Sequence, residues 1–300
     1  MKLSSNCIAC LVNGCAESIK DRTDEENKSL YMRDILRAIL AAPDDQTSPC
    51  FHDAFRTVYE KYFGTYPEKD YTEINRSFNR LVMDQLPEIE RLIRKSDDPI
   101  LTAIKYSLAA NYIDYTAVDV TEHGLAEMLA NAAMAPLDLT EYPNLLKELE
   151  TAGKIVFLHD NCGEIVLDKL LIRLIKERYP QIHVVSCVRG GPAANDATMV
   201  DAEYIGLAEV AEVIDSGCAI TGTPLSMAKP EAVDQFRSAD LIISKGQGNF
   251  ETTFDNGLNI YYLFMCKCAL FTHLFDMEKF SCVLVNNLRL SGLKESHGLA

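Results

Sequence analysis

The spacing of hydrophobic positions changes once along the chain, near residue 153. Before that point apolar residues recur every three or four positions, which is typical of helices that bury one face. One such stretch covers residues 70–95, where Pro87 is expected to divide or kink the helix. Another helix opens at Asp98 and Pro99, and two more are predicted over residues 122–133 and 144–152.

After residue 153 short apolar runs alternate with helical spacing. Strands are predicted over residues 155–158, 182–187, 218–221, 241–244 and 282–285, and residues 260–271 contain either a strand or a buried helix. This alternation predicts βαβ units and a doubly wound, mostly parallel sheet, that is, an α/β fold. We therefore expect a helical N-terminal region, residues 1–153, and an α/β domain, residues 154–300; the two can also form one compact unit.

The composition narrows the range of partners. The chain has 300 residues, of which 48% are hydrophobic, and its net charge is −15. Nucleic-acid binding requires a basic surface, so this charge argues against it. No apolar run approaches the roughly 20 residues that span a bilayer, and the N-terminus lacks the apolar segment of a secretion signal. The ten cysteines lie mostly inside apolar runs, which indicates core residues. We expect a cytoplasmic protein without a membrane or nucleic-acid partner.

The first candidate for chemistry is the pair Asp160 and Asn161. These residues follow the predicted strand 155–158 and precede a predicted helix over residues 164–178. Ligands of open α/β sheets bind at the carboxyl ends of the strands, where this pair would lie. A carboxylate and an amide are hard oxygen donors that suit Mg²⁺ or Mn²⁺. The alternative is that one of them only caps the helix.

A second loop, residues 190–198, occupies the equivalent place after strand 182–187. Its glycines permit close approach of a ligand, and Asp196 would face Asp160 across neighbouring strand ends. Two carboxylates and one amide make a plausible site for a divalent cation. Alternatively, Asp196 or Thr198 caps the next helix, because Thr198 and Asp201 have the spacing of a capping box.

The third candidate is Lys245 with Gly246 and Gly248, directly after strand 241–244. The backbone N–H groups of such a loop can bind an anion, and lysine adds a positive charge. A divalent cation would cancel Asp160 and Asp196, and Lys245 would then leave the site positive for a phosphate. A simple turn remains the alternative. Asn111 and Asp114 lie at the end of the helix that opens at Asp98. Their polar side chains could reach a ligand, or the two residues could only form the C-terminal turn of that helix.

Cys7 and Cys10 form a Cys-x-x-Cys near the N-terminus. The pair could pack, act as a redox couple or supply half of a metal site. A zinc site would need two more ligands, and the sequence has no second Cys-x-x-Cys, so packing or a redox role is favoured.

Together these motifs resemble the metal-dependent damage-control phosphatase family, also known as domain of unknown function 89. The resemblance rests on Asp160-Asn161-Cys162-Gly163-Glu164, on Gly190-Gly191-Pro192 with Asn195-Asp196-Ala197-Thr198, and on Lys245 to Glu251. Asn111 with Asp114, Lys267-Cys268 and the Cys7–Cys10 pair also look like family features, the last pointing to a microbial subgroup. The similarity covers nearly the whole chain.

The resemblance implies a three-layer α/β fold and hydrolysis of small phosphometabolites, such as sugar phosphates or damaged phosphates of cofactor pathways. It implies one divalent metal ion (Mn, Mg, Co or Ni) held by Asp160, Asn161 and Asp196. Lys245 would hold the substrate phosphate beside Gly246, Gly248 and Asn249. Asn111, Asp114 and Glu251 would lie near the substrate.

Two other functions are compatible with the sequence. Some relatives of the family have been proposed to be methyltransferases that use S-adenosylmethionine, although no glycine-rich strand-turn-helix supports that here. The chain could also be a binding protein that uses a metal, or a redox sensor that uses the cysteine pair, without turnover.

Overall fold

The structure, a computed structural model, describes residues 1, 3–112, 127 and 129–290. Its helices are α1 (Ser5–Ser18), α2 (Glu25–Ala41), α3 (His52–Phe63), α4 (Thr72–Lys95), α5 (Pro99–Ala110), α6 (Tyr142–Thr151), α7 (Glu164–Arg178), α8 (Met199–Tyr204), α9 (Pro230–Ser238), α10 (Gln247–Thr253) and α11 (Ala269–Phe275). Its strands are β1 (Lys154–Leu158), β2 (His183–Val188), β3 (Glu212–Asp215), β4 (Leu241–Lys245), β5 (Ile260–Met265) and β6 (Cys282–Asn286).

The six strands form one sheet in the order β3-β2-β1-β4-β5-β6. All neighbours are parallel except β5 and β6, which are antiparallel. After β1 the chain adds β2 and β3 on one side of the sheet, and after β4 it adds β5 and β6 on the other side. The strand order therefore reverses between β1 and β4, where doubly wound sheets bind their ligands. The predicted α/β fold with a mostly parallel sheet is confirmed.

Alternating residues of each strand enter two different hydrophobic cores. In β1, Ile155 and Phe157 pack with helices α4 to α8, whereas Val156 and Leu158 pack with α9, α10 and α11. This alternation is the two-residue period of a strand that is buried on both faces. The result is a three-layer arrangement of helices, sheet and helices.

The N-terminal helices divide into two groups. Helices α4 and α5 contribute Phe78 and Ile104 to the same core as Ile155 of the sheet. Helices α1 to α3 form a small core of their own from Cys15, Ile19, Tyr31, Ile35 and Tyr59. A division of the chain into two domains at residue 153 stays a prediction.

One sequence-based expectation about elements is wrong, and another is wrong in part. The predicted strand 218–221 is a loop, because Gly217 turns the chain with φ +79°, and the edge strand is β3 instead. Helix α4 continues through Pro87, so the proline does not divide it, and a kink at this position stays a prediction. The carbonyl that loses its N–H partner there belongs to Met83, a residue on the exposed face of the helix. The helix predicted over residues 122–133 lies largely outside the described residues.

None of the helices in the described part of the chain combines the length and the apolar character needed to cross a bilayer.

Candidate active site

Backbone hydrogen bonds join the two loops that follow β1 and β2. The Ala197 N–H donates to the Asp160 carbonyl at 2.7 Å, and the Cys162 N–H donates to the Asn195 carbonyl at 2.9 Å. Between these bonds Asn161 and Asp196 pair as an isolated antiparallel bridge. The structure thus brings Asp160, Asn161 and Asp196 together at the carboxyl edge of the sheet.

Arg189 lies against both carboxylates and was missed by the sequence analysis. Its Nε donates to Asp196 at 2.6 Å and its Nη2 donates to Asp160 Oδ1 at 3.2 Å. Its Nη1 donates to Thr223 Oγ1 at 2.8 Å and to Asn249 Oδ1 at 2.9 Å. The side chain is fully buried. We call Arg189, Asp160, Asp196, Thr223 and Asn249 the arginine centre.

Lys245 forms a second buried cluster beside the first. Its Nζ donates to Glu164 Oε1, to Asp168 Oδ1 at 2.9 Å and to Ser107 Oγ at 2.6 Å. The Ser107 hydroxyl donates in turn to Asp168 at 2.6 Å, and His159 Nδ1 lies 3.0 Å from the other Asp168 oxygen. We call Lys245, Glu164, Asp168 and Ser107 the lysine centre.

Two amide side chains connect the centres. Asn111 Nδ2 donates to Asp160 Oδ2 at 3.1 Å and to Glu164 Oε2 at 2.9 Å. Asn161 Nδ2 donates to the same two oxygens at 2.7 and 3.1 Å. The Asn161 Oδ1 accepts a hydrogen bond from Asn195 at 3.0 Å. Asp160 Oδ2 is therefore held between two amide donors.

The glycine loop after β4 fits closely against Asp160. Gly246 has φ +80° and ψ 157°, a conformation that only glycine adopts readily. A Cβ atom at Gly246 would overlap the Asp160 carboxylate. The backbone of α10 then places Asn249 so that its Nδ2 donates to the His159 carbonyl at 2.9 Å. Close approach to the predicted metal ligand is thus the reason for a glycine here.

Of the predicted substrate residues, Glu251 lies elsewhere. Glu251 is on α10, partly exposed, and within the described residues its carboxylate makes no hydrogen bond to either centre. Asp114 lies outside the described residues.

The electrostatics of Asp160 indicate a deficit of positive charge. Burial raises the pKa of this carboxyl, Asp196 and Glu164 raise it further, and the opposing effects of Arg189 and Lys267 are smaller. Its pKa is consequently raised well above the usual value. A carboxylate in such surroundings is stabilised by an additional cation.

The donor chemistry around Asp160 suits a hard divalent cation. Asp160, Asn161 and Asp196, which carry carboxylate and amide oxygens, lie side by side there, as the sequence analysis expected. A group of three or more His, Cys, Asp or Glu side chains that could hold a metal does not occur among the described residues. The predicted donor set does not need one, since its third member is an amide. The role of these residues as metal ligands stays a prediction.

The sequence contained signals for the missed residues. Glu164 and Asp168 are acidic residues one helical turn apart on the otherwise apolar face of α7. Arg189 is the first residue after β2 and Asp160 is the second residue after β1, so both lie at the carboxyl end of a strand. Thr223 lies in a loop without any such pattern, so only the fold reveals it.

The ten cysteines are all free. Cys7 is partly buried and Cys10 is exposed on α1. Assignment to the subgroup with the N-terminal cysteine pair stays a prediction.

Comparison with known proteins gives a consistent result. The family described as "Damage-control phosphatase ARMT1-like domain" matches residues 3–283. A protein named damage-control phosphatase from Archaeoglobus fulgidus is 31% identical over 272 residues, which cover 89% of this chain and 93% of the relative. Another damage-control phosphatase, from Pyrococcus horikoshii, is 28% identical over 291 residues, which cover 96% of this chain and 99% of the relative.

A solved structure supports the same relationship. The crystal structure of a DUF89 family protein from Pyrococcus horikoshii superposes with a TM-score of 0.77 at 26% identity, covering 96% of this chain and 99% of that chain. An uncharacterized protein from Methanocaldococcus jannaschii is 26% identical over 279 residues.

Proposed function

Since the chain belongs to the damage-control phosphatase family, we propose that it is a metal-dependent hydrolase of phosphomonoesters whose substrates are small phosphorylated metabolites. The observation that carries the proposal is the convergence of Asp160, Asn161 and Asp196 with a buried guanidinium at the strand edge. Carboxylates that hold a cation beside a second positive charge form the usual surroundings of a bound phosphate.

In this proposal Asp160, Asn161 and Asp196 hold one divalent ion, such as Mn²⁺, Mg²⁺, Co²⁺ or Ni²⁺. When bound, such an ion polarises the phosphoryl group and makes a coordinated water more acidic. The crowding of negative charge that raises the pKa of Asp160 supports a cation at this place.

The chain's own side chains would keep the donors in position. Both oxygens of Asp160 already accept hydrogen bonds, Oδ1 from Arg189 and Oδ2 from the amides of Asn111 and Asn161. An oxygen engaged in this way is a poorer nucleophile, which favours water over Asp160 as the attacking group. Gly246 lets the loop approach Asp160 without steric overlap.

Ten free thiols support the cytoplasm as the location, because extracellular compartments oxidise such residues.

The proposal is tested by measuring phosphate release from a panel of sugar phosphates and cofactor-pathway phosphates. Each assay contains Mg²⁺, Mn²⁺, Co²⁺, Ni²⁺ or a chelator. We expect release with at least one metal and none with chelator. The Asp196→Ala variant should lose at least about 100-fold in rate while remaining folded, because a metal-binding carboxylate is removed.

Asp215→Ala is the matched control, since Asp215 ends the neighbouring strand β3 and pairs with Lys229 at the surface. We expect it to retain its rate. Full activity of Asp196→Ala with metal would refute the assignment of the site.

A further inference from the structure

Arg189 contacts both of the carboxylates proposed to hold the metal ion. Its Nε donates to Asp196 at 2.6 Å and its Nη2 to Asp160 at 3.2 Å. A ligand of the metal ion would therefore lie next to the guanidinium. Within the described residues Nη2 makes only this one hydrogen bond, which leaves a second N–H to donate.

The backbone of Arg189 is fixed on both sides. Its N–H donates to the Ala197 carbonyl at 2.9 Å, and the next N–H, of Gly190, donates to the Cys218 carbonyl at 2.8 Å. A side chain on Gly190 would overlap the backbone of Gly217. The guanidinium is thus held in place before any ligand binds, which reduces the entropy cost of binding.

Lys245, the cation that the sequence analysis assigned to phosphate, is placed differently. Its three N–H donors are used by Glu164, Asp168 and Ser107. To bind a phosphate it would have to give up one of these bonds in a fully buried position. Breaking a buried ion pair is costly, so this side chain is the poorer phosphate ligand.

Net charge separates the two centres as well. Each contains one basic side chain and two carboxylates, so each carries one negative charge by itself. A divalent ion on Asp160 and Asp196 changes the arginine centre to one positive charge, which attracts phosphate. The lysine centre has no corresponding site in the proposal and stays negative.

We infer that Arg189 is a catalytic residue that binds the phosphoryl group of the substrate, and that Lys245 instead positions Glu164 and Asp168. This inference rests on the proposed function. Arginine suits the task because it has five N–H donors: four hold Asp196, Asp160, Thr223 and Asn249, and the fifth stays available to the phosphoryl group beside a permanent positive charge.

The test compares two affinities in Arg189→Lys, which keeps the charge and loses the fork. Isothermal titration calorimetry measures Mn²⁺ binding, and then inorganic phosphate binding to the Mn²⁺-loaded protein. We expect phosphate to bind at least tenfold more weakly and the Mn²⁺ affinity to change by less than about threefold. Arg94→Lys, at a surface pair with Glu177, is the matched control and should change neither value.

Unchanged phosphate affinity in Arg189→Lys would overturn the inference while leaving the proposed function intact. So would a loss of Mn²⁺ affinity equal to the loss of phosphate affinity, because Arg189 would then only support the carboxylates. If the unaltered protein releases no phosphate from the panel, the proposed function fails and this inference fails with it.

A milder pair of variants covers the case in which Arg189→Lys does not fold. The Thr223 hydroxyl accepts from Arg189 Nη1 and donates to Asn249 Oδ1 at 3.0 Å, so it positions the guanidinium. Thr223→Val should weaken phosphate binding about three- to tenfold, whereas Thr223→Ser, which keeps the hydroxyl, should restore it. Equal phosphate affinity in both variants and the unaltered protein would contradict the inference.

Discussion

Two buried basic side chains lie side by side at the edge of the sheet, each between two carboxylates, yet they differ in origin. The carboxylates of the lysine centre, Glu164 and Asp168, come from one turn of α7. Those of the arginine centre, Asp160 and Asp196, come from two loops that follow neighbouring strands. A single helix thus sets the spacing of the first pair of carboxylates, whereas the second pair requires the sheet.

The pKa directions show what this difference means. Burial alone would raise the pKa of Asp168, but Lys245 and His159 outweigh burial and lower it. At Asp160 burial together with Asp196 and Glu164 outweighs Arg189 and raises the pKa. Basic neighbours therefore stabilise the charged form of Asp168 in the lysine centre, which is typical of a structural ion pair. At Asp160 in the arginine centre, burial and the neighbouring carboxylates prevail, which is typical of a site that receives a cation.

The largest expected effect is on stability, from Lys245→Met. The variant leaves Glu164 and Asp168 buried without their cation, so we expect a loss of about 3–5 kcal/mol in the free energy of unfolding. Chemical denaturation measures it. Added Mn²⁺ should not restore the loss, since neither carboxylate belongs to the proposed metal site.

Lys229→Met is the control, because Lys229 forms a partly exposed pair with Asp215. We expect this substitution to lower the free energy of unfolding by at most about 1 kcal/mol. Equal losses in the two lysine variants would remove the distinction between the lysine centre and an ordinary ion pair.

Gly246→Ala should affect the arginine centre selectively. The new Cβ would displace the Asp160 carboxylate, and the backbone conformation adds about 1–3 kcal/mol of strain. We expect about a 100-fold loss of phosphate release, as a catalytic group moves by about 1 Å. Gly14→Ala, in open space on α1, should leave the rate unchanged. A fully active Gly246→Ala would show that the position of Asp160 does not matter.

The smallest effect concerns Glu251, a partly buried acid that belongs to neither centre. Burial raises its pKa to about 7, and the opposing charge of the Met1 amine is weaker. Because the folded pKa exceeds the unfolded value of about 4.3, this residue lowers stability as pH rises through that interval. Glu251→Gln should therefore become more stable than the unaltered protein by up to about 2 kcal/mol at pH 8, with no gain at pH 4.

Denaturation at both pH values checks this prediction, with Glu150→Gln on the exposed surface of α6 as the control. A difference between Glu251→Gln and the unaltered protein that does not change with pH would show that the Glu251 carboxyl is not destabilised by burial.

Much of the fold could be predicted because buried parallel strands are continuous apolar runs. This holds for β1, β2, β4 and β6, whose runs were recognised within one residue at each end. The edge strand β3 was missed, since Glu212-Val213-Ile214-Asp215 is short and has acidic ends. The apolar residues Cys218 and Ile220 suggested a strand there, but they are buried in a loop that packs against Gly190.

The candidate site was predicted as far as it follows from strand ends. Asp160, Asn161, Asp196 and Lys245 all lie where a parallel sheet delivers them, so their proximity could be anticipated. The partners of Lys245 could not, because they depend on how α5 and α7 pack over β4. Neither could the contact of Arg189 with Thr223, which joins loops 34 residues apart in the chain.

The backbone bridge between the loops of Asp160 and Asp196 has a further consequence. Peptide groups, and not the donor side chains, set the spacing of the two positions. An exchange of Asp160 or Asp196 for another side chain of similar size would leave the spacing itself in place. If these residues bind the proposed metal ion, such a frame would allow the ligand set to be changed one residue at a time, by evolution or by design.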